Sequence, residues 1–151
     1  MSDSPYLFCL YAEDVRQEIT GQTSIIGVFQ GGLKVPAVPA HLPKLAIVAN
    51  LCMPYAHAPT SVKLEVHRDG EVLQTIEPPA DFLQSVARQN GLGLDDGYNM
   101  QFVVGFAGFP VPAASKLEVR ATVDGMSLQG NALQIVVGEA QPVAKIGRAH
   151  V

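Results

Sequence analysis

The chain has 151 residues, 48% of them hydrophobic and 16% charged, with a net charge of −4. Such a composition fits one domain with enough apolar matter for a core and excludes a chain that is disordered throughout. Lys and Arg form no cluster, which argues against nucleic acid or an anionic membrane as partner, and no apolar run approaches the roughly 18 residues of a membrane span.

The first apolar run, "YLFCLY", predicts a strand and is too short for a secretory signal, so a cytoplasmic protein is expected. Glu13, Asp14, Arg16 and Glu18 follow. Carboxylates need burial or a charged neighbour to become acid–base catalysts, and nothing here implies a pocket. The cluster reads as a solvated turn with local ion pairs between two strands. "SIIGVF" at 24–29 predicts the second strand, and the Pro-rich "VPAVPAHLPK" belongs at an end of the fold. In "LAIVANLCM" (45–53), Leu45, Ile47, Ala49, Leu51 and Met53 form one face. Ala46, Val48 and Cys52 make the other face apolar too, so part of this strand is expected to be covered on both sides.

"SVKLEVHRDGEVLQTIEPP" alternates Val62, Leu64 and Val66 with Lys63, Glu65 and His67, a period of two. Asp69–Gly70 suits a two-residue type I′ turn, pairing Arg68 with Glu71 and Val66 with Leu73. "DFLQSVARQNG" predicts a short helix over 81–90, with Asp81 as N-cap, an apolar stripe of Phe82, Leu83, Val86 and Ala87, and Gly91 at C′. "MQFVVGFAGF" (100–109) is a further strand, and Pro110 and Pro112 stiffen the crossing after it. "KLEVRATVDGMSLQ" is a second hairpin with Leu117, Val119, Ala121 and Val123 inward and a turn at Asp124–Gly125. Leu133, Ile135 and Val137 then fall on the opposite parity to Leu128. A β-bulge at Gly130–Asn131 absorbs the extra residue.

Short turns and the lack of strand–helix alternation predict an all-β fold. It is an antiparallel two-sheet β-sandwich, immunoglobulin-like in the broad sense, with seven or eight strands and no parallel pairing. Residues 1–139 form the domain and 140–151 a disordered tail. Residues 145–151 read as the translation of a sequencing adapter, since ATC GGA AGA GCA CAC GTC encodes the closing "IGRAHV". Without Lys145 and Arg148 the balance is 14 acidic to 8 basic residues.

Cys9 and Cys52 lack CxxC spacing and read as buried thiols. His41 and His57 fall in loops and His67 on the outward face of a hairpin strand, with no HxH or HExxH pattern. Ser24 lies in no GxSxG elbow, and the Asp95–Asp96 loop lacks EF-hand spacing. No catalytic, cofactor-binding or metal-binding residue is therefore assigned, and no cofactor is expected.

The segment "LFCLYAEDVRQEITGQTSIIGVFQGGLKVP", followed by "LPKLAIVANL", resembles an uncharacterised family of bacterial and phage-associated proteins. The shared pattern falls on Cys9, Glu13–Asp14, Val15–Arg16, Glu18, Gly21, Ser24, Gly27, Val28, Phe29 and Leu42 to Leu45, and the chain departs from it in "PPADFLQSVARQNGLGLDDGYN". The resemblance implies a bacterial or phage origin and an all-β domain, and it carries over no catalytic residue. The leading expectation is a non-enzymatic module that contacts another protein through an edge strand or through loops at one end. The alternatives are a small metal-dependent hydrolase built on His57, His67 and Asp69 or the Asp95–Asp96 loop, and a structural component of a phage or secretion assembly.

Overall fold

A computed structural model describes residues 4–54, 59–91 and 97–139. The strands are β1 (Tyr6–Gln17), β2 (Thr23–Val28), β3 (Leu33–Val35), β4 (Ala40–Met53), β5 (Val62–Arg68) and β6 (Glu71–Ile76). After helix α1 (Ala80–Gly91) come β7 (Tyr98–Val111), β8 (Ser115–Val123), β9 (Met126–Gln129) and β10 (Leu133–Val137). One sheet has the order β2-β1-β4-β7, and the other β3-β10-β8-β5-β6 with β9 also paired to β8. Their inward faces meet in one core that holds Leu7, Ile47 and Leu51 from the first sheet and Leu64, Leu117 and Ile135 from the second. Each such buried side chain contributes about 1.5–3 kcal/mol relative to exposure.

The sandwich expected from the alternation is therefore present, with ten strands in place of seven or eight. Leu33–Val35 is too short to carry a period, and the bulge divides the last ribbon into β9 and β10. One pairing is parallel, against expectation: β10 runs alongside β3, matching Ile135 to Leu33 and Val137 to Val35. No hairpin joins these two strands, so no turn dictates their direction.

Both Asp–Gly turns form with positive φ at each residue: 48° and 87° at Asp69–Gly70, 48° and 85° at Asp124–Gly125. Arg68 faces Glu71, but a register shift between Val66 and His67 sets Val66 opposite Gln74 and not Leu73. The turn carboxylates serve structure. Asp69 Oδ1 accepts the Lys116 N–H at 3.0 Å. Asp124 Oδ1 accepts from the Thr60 N–H, the Thr60 hydroxyl and the Ser61 N–H at 2.7–2.9 Å.

Four local readings need correction. Glu13 to Arg16 lie within β1, and the turn comes only after them, where Gly21 N–H donates to Glu18 O at 3.0 Å. Pro43 and Pro110 lie inside strands. Past Ala12–Ala46, β4 is paired to β7 alone, and β7 is an edge strand, where a missing N–H is tolerated. The helix begins at Ala80, so Asp81 sits in its first turn, where a carboxylate complements the dipole. Leu83 of that helix is fully buried while Phe82 is 44% exposed, so the stripe enters the core through Leu83 and Val86. The tail at 140–151 lies outside the described residues.

The predicted bulge is the hinge of the second sheet. Arg120 faces Gln129 and Leu117 faces Leu133, so the β9–β10 ribbon gains one residue over β8 between those pairs. The extra residue lets Asn131 reach the other sheet. Its Oδ1 accepts the Cys9 N–H at 2.7 Å, and its Nδ2 donates to the Cys9 carbonyl at 2.9 Å. Tyr11 Oη donates to the Asn131 carbonyl at 2.8 Å, and burial pushes that hydroxyl above the phenol range, so the proton stays in place. A side chain on Gly130 would meet Cys9 Sγ at 3.1 Å and Leu7 Cγ and Cδ2 at 3.3 Å, so a larger residue there would have to displace those side chains by a few tenths of an ångström. On the opposite flank Arg68 Nη1 donates to the Pro110 carbonyl at 2.8 Å, with its guanidinium 5.3 Å from the Phe109 ring centroid.

Asn131→Ala removes two hydrogen bonds of about 1 kcal/mol each, and the expected loss in urea unfolding is about 2 kcal/mol with an unchanged m-value. A loss below about 0.5 kcal/mol would show that the stitch carries no stability.

Candidate interaction surface

The residues singled out for chemistry do not assemble into a catalytic site among those described. His57 and the Asp95–Asp96 pair lie outside the described residues. Asp69 is engaged with Lys116. His41 lies in β4, not in a loop, and is exposed. Of the local ion pairs expected in the opening cluster, Arg16 with Glu18 forms at 3.1 Å, with the Ser24 hydroxyl donating to Glu18 at 2.6 Å, whereas Asp14 pairs with Lys44 of β4 at 3.4 Å and not with Arg16. No group of three His, Cys, Asp or Glu side chains could hold a metal ion among the described residues. No described helix is long and apolar enough to cross a membrane.

The outer face of the second sheet carries a polar ladder. His67 is buried, its Nε2 3.5 Å from Glu65 Oε1, with neither ring nitrogen hydrogen-bonded among the described residues. Glu118 is 3% exposed, and Arg120 donates to its Oε1 at 2.7 Å while the Gln129 amide donates to Oε2. The Arg120 hydrogen bond holds the Glu118 carboxyl below the usual carboxylate range, against the opposing effect of its burial. The alternation of Leu117, Val119 and Ala121 places Glu118 on the outward face, where exposure is the simple expectation. Side-chain crowding on the sheet face buries it instead.

The outer face of the first sheet is different in kind. Its outward rows are Tyr6–Cys52–Asn99, Phe8–Asn50–Gln101, Leu10–Val48–Val103 and Ala12–Ala46–Gly105, with no charged residue among them. Ala46 and Val48 of β4 are at most 5% exposed, as the doubly apolar pattern of that strand predicts, and Asn50 is buried with them, whereas Cys52 of the same face is only half-buried. The β1–β2 hairpin covers Ala46, Val48 and Asn50. Thr23 Oγ1 donates to Gln101 Oε1 at 3.2 Å, although the strand register sets Thr23 beside Gln17 and Gln101 level with Phe8. In a flat sheet those rows would stand about nine residues, roughly 30 Å, apart, so the hairpin folds back across the face. Tyr6, Phe8 and Val103 remain 43–54% exposed around it. Asn50 Oδ1 accepts from Asn99 at 2.9 Å and from Gln101 at 3.4 Å, which fixes an amide cluster beside the apolar residues.

Main-chain directions follow from the Asn131 stitch. In an antiparallel ladder the N–H and C=O of one residue point to the same side, and successive residues alternate. Both groups of Cys9 go to Asn131, hence away from β4. Its partner Ala49 then points toward β7, and the Ala49 partner Phe102 points back toward β4. A side chain on Gly97 would collide with the Met53 carbonyl oxygen, which therefore also points toward β7. Asn99, Gln101 and Val103 thus aim their main-chain groups away from the sheet. All three residues are exposed, and among the described residues no strand pairs with that side of β7. The Tyr98–Val111 strand carries no charged side chain. Sequence reasoning found the strand but not its open edge, whose signal was a 14-residue run without Lys or Glu.

A family profile described as a family of unknown function, DUF6941, matches residues 7–136. No curated protein matches the chain.

Two outcomes are expected. In hydrogen exchange the amides of Asn99, Gln101 and Val103 exchange at least about tenfold faster than those of Met100, Phe102 and Val104, whereas uniform protection would contradict the alternation. Arg120→Ala lets the Glu118 carboxyl rise. Because its folded pKa lies below the unfolded value near 4.3, the stabilisation is present above that value and is lost as pH falls through the folded pKa. Arg120 is half exposed, so screening limits the difference from wild type to about 1 kcal/mol at pH 7, and the two unfolding curves converge in acid.

Proposed function

We propose that this chain, which belongs to the DUF6941 family, is a non-catalytic protein-interaction module that takes an extended segment of another chain along the open edge of β7. The main-chain run at Asn99, Gln101 and Val103, which no strand among the described residues pairs on its outer side, carries this reading. Strand addition supplies main-chain hydrogen bonds for affinity, and the alternate side chains supply selectivity. Val103 offers an apolar contact, flanked by the Asn99 and Gln101 amides that Asn50 and Thr23 hold in place. The free thiols Cys9 and Cys52 support a location inside a cell, and the sequence pattern supports a bacterial or phage origin. A place in a phage or secretion assembly would use the same edge. Metal-dependent hydrolysis draws no support from His67 or Asp69, whose neighbours are Glu65 and Lys116.

Val103→Pro deletes an N–H that serves no ladder bond and blocks strand addition at one position. With the chain immobilised as bait for the proteome of its source organism, proteins held by the wild type are lost from the variant. Their binding also slows exchange at Asn99, Gln101 and Val103. Identical capture by both chains, with no added protection, would overturn the reading.

A further inference from the structure

We infer that the β1–β2 hairpin from Asp14 to Ile26 is a hinged arm, closed in this structure, whose tip latches onto Gln101 and overhangs the β7 edge, so that opening the arm clears that edge for a partner strand. The inference rests on the reading of β7 as the interaction edge and adds what regulates it.

The first observation is a hinge where the hairpin leaves its sheet. β1 keeps β4 as a neighbour only as far as Ala12–Ala46. One row later both strands of the hairpin become irregular together. Ala12 pairs with Val28 and Asp14 with Ile26, but Glu13 and Gly27 between them form no pair. Gly27 has φ +68°, and the Glu13 side chain lies 2.9 Å from where a Cβ would stand. A residue free to change its backbone angles at this row can absorb a change in direction. Beyond it the arm is stiffened by its own bonds. Glu18 N–H donates to the Gln22 carbonyl at 2.8 Å and Gln17 Nε2 to the Gly21 carbonyl at 3.1 Å, while Glu18 Oε2 accepts from both Arg16 and Ser24.

The second is how little ties the arm down. No residue from Glu13 to Val28 is buried, and none belongs to the core. Among the described residues two polar contacts join the arm to the body: Asp14 to Lys44 at 3.4 Å near the hinge, and Thr23 Oγ1 to Gln101 Oε1 at 3.2 Å at the far end. Both are solvent-exposed, where such contacts are weak. The far contact also has a competitor. Thr23 has one hydroxyl proton, and Gln17 Oε1 stands 3.3 Å away as a second acceptor within the arm. When the proton turns to Gln17, the latch is released without leaving Thr23 unpaired.

The third is where the tip lies. Thr23 shares its face of the ribbon with Val15 and Ile25, a register pair that is half-buried, so this face lies against the sheet. Running from β1 to Gln101, the arm crosses β4 and arrives at β7. The turn around Ile19 lies farther along the same line, and Ile19 is fully exposed, as a tip that projects past the sheet requires. A strand added to β7 would lie about 4.8 Å outside it, with an outward side chain beside Gln101. The tip stands over that position. The closed arm therefore withholds the edge and shields Ala46 and Val48, and a partner that binds only the open form shifts the population toward it.

Methyl NMR of the full chain with a soluble gadolinium chelate tests the arm. Thr23→Val keeps the shape of the latch residue and removes its proton. Paramagnetic broadening at the Ala46 and Val48 methyls rises about fivefold over the wild type, the factor carried by one neutral hydrogen bond. The Ile47 and Leu51 methyls, on the core side, stay unchanged. Unchanged broadening at Ala46 and Val48 would overturn the inference, and so would an equal rise at Ile47 and Leu51, which reports a loosened core. In the capture experiment Thr23→Val holds about fivefold more of the proteins that Val103→Pro loses, by the same shift in population. Methyls that open with no gain in capture would overturn the arm's control of the edge. Capture indifferent to Val103→Pro would overturn the β7 reading, and with it that control, while the methyl result still decides whether the arm is hinged.

Discussion

The side-chain amide of Asn131 acts as a strand partner for Cys9, and the arrangement of both sheets turns on that contact. A β-strand has two hydrogen-bonding sides, and β1 has a strand on each side only over part of its length. Its C-terminal half is covered by β2. At Cys9 the missing partner is a carboxamide, which presents one donor and one acceptor at the spacing of a peptide group. Because the contact reaches across to the other sheet, it also fixes how the two layers meet. Cys9 is sealed there, and burial pushes its thiol up to about 12, so it behaves as a core residue and not as a nucleophile.

The bulge makes this possible and has two further effects. One extra residue shifts the parity of β10, so Leu133 and Ile135 enter the core beside Leu117 although Leu128 lies on the other parity. It also draws Gly130 close to Leu7 and Cys9. On the far flank Arg68 ties β5 to the end of β7 through a carbonyl and a ring face. The sandwich is therefore fastened at two places, and among its edge strands β2, β3, β6 and β7 the last is the longest and carries no charged side chain.

Much of this was legible in the residues. Two Asp–Gly dipeptides flanked by alternating apolar residues mark both hairpins, and the parity break after Leu128 marks the bulge. Other features depend on distance in sequence. The Asn131–Cys9 contact spans more than a hundred residues, and an Asn after a Gly reads locally as a turn. The charged cluster at 13–18 reads as a turn because polarity in a strand is ambiguous when the strand projects beyond its neighbours. The bulge at Val66–His67 left no trace in the period-two pattern, since His67 and Arg68 are both polar. The open edge was hidden for a related reason: periodicity reports which face of a strand is apolar and says nothing about which side lacks a partner.

The most direct test of this account is the NMR signature of Asn131 in the isotope-labelled chain. The account predicts nuclear Overhauser contacts from the Asn131 side-chain amide protons to the backbone protons of Cys9, and a Cys9 amide that exchanges slowly although no strand pairs with it on that side. A Cys9 amide exchanging at the rate of an unprotected peptide, with no contact to Asn131, would contradict it, and with it the main-chain alternation that assigns the open edge to Asn99, Gln101 and Val103.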